Sequence, residues 1–212
     1  MKNKVYEKIE EKKVVAICRG IDVESILPAI EAVYCGGISV FEITFDQTDK
    51  ETWEKTAESI KLIKKYGPSD IVVGAGTVMN KEQLELAVEA GAEFVLAPNV
   101  NIEVIKEANE KNILIIPGAF TPTEAANAFE AGADIIKLFP AGQLGTSYVK
   151  AIRGPMKHIP LMAVGNVDHN NFRDFLDSGC MSVGIGTNIM NPELIKNQEY
   201  EKLTKLAKKY KC

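Results

Sequence analysis

Glu130-Ala131-Gly132-Ala133-Asp134-Ile135-Ile136-Lys137-Leu138-Phe139-Pro140 is the stretch that decides how this chain folds. It opens with the end of a helical pattern and a glycine, the residue on which helices most often stop. A short apolar run follows, too brief for a helix and apolar enough for a strand covered on both faces. A lysine stands near the far end of that run. Residues 89–95 nearly repeat 130–136, with the two glycines 132 − 91 = 41 residues apart. The stretch therefore reads as one copy of a repeated unit in which a helix runs into a buried strand.

The same unit extends in both directions. Apolar runs at 14–18, 39–44, 71–75, 94–97, 113–116, 134–138, 160–164 and 181–185 predict eight strands, with helices in the gaps. Gly36-Gly37 and Gly179 precede strands as Gly91 and Gly132 do. Thr121-Pro122 with Glu124 is a capping-box start, and Asn191-Pro192 opens the last helix in the same manner. The lysine-rich segment 201–212 reads as the solvated face of a closing helix. Alternating strands and helices build a parallel sheet, which is either an open doubly wound sheet or a closed barrel. Eight strands is the number that closes around a filled interior. An open dinucleotide-binding sheet needs a glycine-rich first turn, and Arg19-Gly20-Ile21-Asp22 is not one. The expected fold is a single α/β domain spanning 1–212, a (β/α)8 TIM barrel.

Composition narrows the function. The 212 residues are 46% hydrophobic and 25% charged, with a net charge of −4. Cations are interspersed with anions, so no basic stripe is available for a phosphate backbone and nucleic acid is not an expected partner. Charged residues interrupt every apolar run before the ~20 residues that a membrane helix needs, so no membrane association is expected. Cys18, Cys35, Cys180 and Cys212 form no close pair, and no signal-like segment follows Met1. They read as reduced thiols of a cytoplasmic protein.

Side chains alternate in a strand, so each inward set follows from parity. Val15, Ile17 and Arg19 fall together; so do Val40, Glu42 and Thr44; so do Ile135 and Lys137. Val73, Ala75 and Thr77 read as the inward set of the third strand, with Gly74 and Gly76 leaving room between strands. Charge thus gathers at the carboxy-terminal rim, where barrel enzymes carry their active sites. One reading is an interior Glu42–Lys137 salt bridge with Arg19 as helper. The other is chemistry: Glu42 can neutralise only one of two cations, which leaves the rim poised for an anionic substrate. An amine set in an apolar wall beside a second cation loses its proton readily and can attack a ketone. No metal is expected, because His158 and His169 stand at no predicted strand end and in no ligand-spaced pair.

Glu42-Ile43-Thr44, Gly74-Ala75-Gly76-Thr77, Ile116-Pro117-Gly118, Thr121-Pro122-Thr123-Glu124 and Lys137-Leu138-Phe139-Pro140, taken in order, resemble the 2-keto-3-deoxy-6-phosphogluconate and 4-hydroxy-2-oxoglutarate aldolase family. The resemblance spans nearly the whole chain. It implies a cofactor-free class I aldolase, commonly a homotrimer, that cleaves a 2-keto acid to pyruvate and an aldehyde. It further implies that Lys137 forms the imine and Glu42 is the acid/base. Arg19 is implied to hold the pyruvyl carboxylate, and Thr77, Pro98 and Phe139 to line the same pocket. Gly165, Asn166, Gly186 and Thr187 fall where a distal phosphate or hydroxyl would sit.

The family pattern is broken at Val164-Gly165-Asn166, where Thr-Gly-Gly is usual, and at Asp46, where some members carry a basic or neutral residue. A side chain at Asn166 narrows a phosphate cup, and an inward carboxylate at Asp46 repels an anion. Asp46 has a second reading as a helix cap, Thr77 as the cap of a helix beginning near Asn80, and the glycines as turn formers. Two other functions stay open: a sugar-phosphate isomerase or epimerase, and a barrel that binds a keto acid without turning it over.

Overall fold

Closure of the sheet is decided at Pro117. The computed structural model describes residues 2–211. Cys212, with its predicted free thiol and the end of the predicted closing helix, lies outside them. The strands are β1 (Val14–Cys18), β2 (Val40–Thr44), β3 (Val72–Gly76), β4 (Phe94–Leu96), β5 (Leu114–Ile116), β6 (Gly118–Ala119), β7 (Ile136–Leu138), β8 (Leu161–Val164) and β9 (Ser182–Ile185). All pair in parallel, in the order β5-β4-β3-β2-β1-β9-β8-β7-β6. The two edge strands of that order are halves of one segment. Proline has no N–H to give a ladder, so the ladder breaks at Pro117. Before the break the segment pairs with β4, and after it with β7. Lys137 N donates to Pro117 O at 2.9 Å and Phe139 N to Ala119 O at 3.0 Å, which ties the ends together. The nine strand segments are thus the eight predicted strands, with the fifth divided, and the fold is the expected (β/α)8 barrel.

The helices are α1 (Lys2–Lys12), α2 (Val23–Cys35), α3 (Trp53–Tyr66), α4 (Lys81–Glu89), α5 (Ile102–Glu110), α6 (Pro122–Glu130), α7 (Ala141–Arg153), α8 (Phe172–Asp177), α9 (Pro192–Lys196) and α10 (Tyr200–Lys208). Gly37, Gly91, Gly132 and Gly179 take positive φ at helix exits, and the Thr121–Glu124 capping box is formed in both directions. One expectation needs correction, that Asn191 opens the last helix. Asn191 caps α9, a helix of only five residues, and the lysine-rich α10 is a separate last helix. A helix that the strand pattern does not foretell, α1, precedes β1. Among its charged residues only Val5 and Ile9, one turn apart, are fully buried. Both join the barrel interior, which α1 therefore plugs. Among the described residues, no helix is long and apolar enough to cross a membrane.

Two apolar layers share the sheet. Val15, Val40, Val72, Leu114, Ile135 and Met162 fill the barrel interior, while Ala16, Phe41, Val73 and Ala75 pack outward against the helices. Parity is as predicted on β1, β2 and β7 and inverted on β3. There the inward positions are Val72, Gly74 and Gly76. Sequence parity favours Val73 and Ala75 because two of the three inward positions, Gly74 and Gly76, carry no side chain to mark them. A Cβ on Gly74 would meet the Phe94 ring at 2.5 Å. Glycine is what the crowded interior admits there.

Candidate active site

β2 and β7 are the second and sixth strands once the divided fifth is counted as one, so they face each other across the barrel. Glu42 and Lys137 are both buried, at 1% and 6% exposure, and each lies near enough to feel the other's charge. No direct ion pair joins them among the described residues, and Glu42 Oε2 has no hydrogen-bond partner. The interior salt bridge of the first sequence reading is therefore not formed.

Their electrostatics follow from burial. Desolvation, the largest influence, pushes the Glu42 carboxyl above its ordinary value, opposed by the nearby charges of Lys137 and Arg19. Burial likewise holds the Lys137 ammonium below its ordinary value; Glu42 opposes this and Arg19 adds to it. A low-dielectric site favours the neutral form of each group. The arrangement can therefore offer an amine lone pair and a carboxyl proton together. Lys137 Nζ lies 4.8 Å from the centroid of the half-buried Phe139 ring. Gly165 packs on the same ring, where a Cβ would stand 3.2 Å from it.

At the rim, Arg19 donates from Nη2 to Thr77 Oγ1 at 3.3 Å. Thr77 has φ +57°, a left-handed conformation that β-branched residues seldom adopt. That twist interrupts the alternation of β3, so Thr77 reaches the rim despite the inverted parity. Its carbonyl accepts from Gln47 Nε2 at 2.9 Å. Gln47 is a site neighbour that the sequence did not single out, since an amide after β2 has no periodic or motif signal. Thr77 is not the cap of α4; Asn80 is, accepting from Gln83 N. Thr44, placed with Glu42 in the second strand's inward set, donates from Oγ1 to Cys18 O at 3.2 Å. A cavity of about 470 Å³ opens beside Arg19 and Thr77, under the loops after β1 and β2. Glu42 and Lys137 do not line it, so it is not the space around the lysine.

Pro98, half-buried, follows β4, and its carbonyl lies where a side chain on Gly118 would be. After β8, Gly165 and Asn166 have φ +92° and +53°. Asn166 is exposed, and its carbonyl accepts from Asn171 Nδ2 at 3.1 Å. Gly142 makes room for it, since a Cβ there would meet that of Asn166 at 2.5 Å. After β9, Gly186 has open space around it and Thr187 is exposed. Asn188 Nδ2 donates to Val167 O at 3.2 Å and links the two loops. Val164 packs in the interior against Gly184 and so does not narrow the mouth. Asp46 caps a turn and not a helix, accepting from Thr48 N and Oγ1 at 2.8 and 2.7 Å. Those bonds, with a smaller pull from Arg19, hold its carboxyl below the ordinary value.

A closed parallel barrel with a buried lysine and a buried carboxyl turned into its interior defines the class: a (β/α)8 barrel with a paired amine and carboxyl in its interior. Residues 5–206 match the family described as "Aldolase: KDPG and KHG aldolase". The chain is similar to the 2-dehydro-3-deoxy-6-phosphogalactonate aldolase of Escherichia coli (strain K12), at 34% identity over 82% of this chain and 83% of that one. It is also similar to the 2-dehydro-3-deoxy-phosphogluconate aldolase of Haemophilus influenzae, at 31% identity over 96% and 93%. Among solved structures it resembles the KDPG aldolase of Legionella pneumophila with pyruvate captured as a covalent carbinolamine, at 27% identity, TM-score 0.85 and 95% of each chain. The chain belongs to the KDPG and KHG aldolase family and is, as such, a lyase acting on small keto acids.

Proposed function

We propose that the chain is a class I aldolase in which Lys137 forms an imine with the C2 carbonyl of a 2-keto acid and Glu42 moves the protons. The observation that carries this reading is the buried amine whose charged form burial disfavours, facing a carboxyl whose proton burial retains. Neutral Lys137 adds to C2, and protonated Glu42 supplies the proton with which the carbinolamine hydroxyl leaves as water. The Glu42 carboxylate, through a water molecule, then takes the C4 hydroxyl proton as the C3–C4 bond breaks. The bonding pair passes into the protonated imine to give an enamine and an aldehyde. Glu42 returns the proton to C3, and hydrolysis releases pyruvate and Lys137. General acid/base assistance of this kind contributes ~100- to 10,000-fold.

Arg19 and Thr77 suit the C1 carboxylate, a charge-assisted contact. Pro98 and Phe139 wall the pyruvyl part, and Gly165, Asn166, Gly186 and Thr187 face the distal end. The substrate class is a 2-keto-3-deoxy sugar acid, phosphorylated or free, or 4-hydroxy-2-oxoglutarate, with glyceraldehyde 3-phosphate or glyoxylate among the aldehydes released. The captured carbinolamine in the Legionella relative supports the covalent step. Incubation with pyruvate and borohydride followed by peptide mass spectrometry tests it. A reduced adduct on Lys137 is expected, and adduct-free protein with aldol cleavage intact overturns the reading. A panel of phosphorylated and free 2-keto-3-deoxy acids then ranks the substrates.

A further inference from the structure

We propose that Gly76 is a positioning residue for the proton carrier: the missing side chain on β3 is the seat in which the Glu42 carboxyl rests. The inference deepens the aldolase reading and rests on Glu42 as its acid/base. A Cβ built on Gly76 would overlap Glu42 Oε1 and the carboxyl carbon, and would come within 2.7 Å of Cγ. No side chain at position 76 is compatible with this placement of Glu42, because all three atoms lie well inside van der Waals contact.

Register explains why the seat is at 76. Glu42 pairs with Gly74, and Thr44 pairs with Gly76. The Glu42 side chain therefore leans two residues along the neighbouring strand, toward the carboxy-terminal mouth. Gly74, beneath it, meets the Phe94 ring instead, so the two glycines of β3 serve different ends.

A seat of this kind suits a proton carrier better than hydrogen bonds would. Donors fixed on a carboxylate stabilise its ionised form and hinder its protonation. Glu42 Oε2 has no such donor. Its position is set by shape, because the β3 backbone at Gly76 lies against one side of the carboxyl. A single methyl group at position 76 would push the carboxyl off this line.

The test compares Gly76→Ala, Glu42→Asp, Glu42→Ala and the two double variants, by steady-state cleavage over pH, borohydride trapping with pyruvate, and thermal unfolding. Gly76→Ala is expected to lower kcat at least ~10-fold, a fraction of the full acid/base contribution. KM should stay within about twofold, with the pH profile displaced. In the Glu42→Asp background, whose carboxyl is one methylene shorter, the same change should cost kcat less than about threefold. Gly76→Ala should lower Tm in the parent and leave it unchanged in the Glu42→Ala background. If Gly76→Ala fails to fold, the double variant with Glu42→Ala is expected to fold. Parent-like kcat and pH profile in Gly76→Ala, or the same loss of stability in both backgrounds, overturns the proposal. Parent-like turnover in Glu42→Ala would instead remove Glu42 from the mechanism, while the unfolding comparison still decides the seat.

Discussion

The Phe139 ring lies 4.8 Å from Lys137 Nζ and supplies part of the wall that keeps water from the amine. It acts on the lysine in two opposed ways. Its face attracts the ammonium, and its bulk excludes solvent. Desolvation is the largest influence on Lys137, so loss of the bulk should dominate. Phe139→Ala is expected to raise the lysine pKa toward its ordinary value and to slow adduct formation at neutral pH by ~10-fold per unit regained. Borohydride trapping at several pH values measures this, and a faster or unaltered rate contradicts it.

Adduct formation in the parent protein should rise with pH and level off below the ordinary lysine value of 10.5, because burial holds Lys137 below that value. The cleavage rate should also fall once Glu42 ionises too fully to supply a proton, at a pH above its ordinary 4.5. Lys137→Ala should abolish both adduct and turnover. Glu42→Gln should slow turnover ~100-fold or more while leaving some adduct.

The same burial has a cost in stability. Folding raises the Glu42 pKa, so its contribution is full below 4.5 and is lost as pH rises through the folded value. Folding lowers the Lys137 pKa, so its contribution is full above 10.5 and is lost as pH falls through the folded value. Near neutrality both groups therefore work against the fold. The double variant Glu42→Gln/Lys137→Met should be more stable there, with the gain shrinking toward either extreme of pH. Urea unfolding at pH 5, 7 and 9 reads this directly; a less stable variant at pH 7 is inconsistent with it.

Gln47 holds the Thr77 carbonyl at 2.9 Å and so helps keep a threonine at φ +57°. Without that bond Thr77 can relax and release Arg19 from its side chain. Gln47→Ala is expected to raise KM for the keto acid up to about tenfold, the worth of one hydrogen bond, with kcat within about twofold. A change confined to kcat would place Gln47 elsewhere in the mechanism.

Asn166 carries a side chain at the mouth in a conformation, φ +53°, that glycine adopts freely. Asn166→Gly is expected to raise kcat/KM for a phosphorylated 2-keto-3-deoxy acid relative to its free counterpart by about tenfold, by opening backbone N–H groups to the phosphate. The ratio of the two specificity constants is the measurement, and an unchanged ratio would show that position 166 does not select the distal group.

By itself the sequence determined the eight strand runs, the helix stops at Gly91, Gly132 and Gly179, the Thr121–Glu124 cap, and the inward placement of Glu42 and Lys137. Each is written locally, in the period of apolar residues or in one turn's hydrogen bonds, and neighbours in sequence suffice to read it. Tertiary structure alone decided that β3 turns Gly76 inward, that Pro117 divides the fifth strand, and that Gln47 reaches Thr77. Closure brings together residues 137 − 42 = 95 positions apart. Which space a glycine leaves empty, and for whose carboxyl, is settled only when the opposite and adjacent strands arrive.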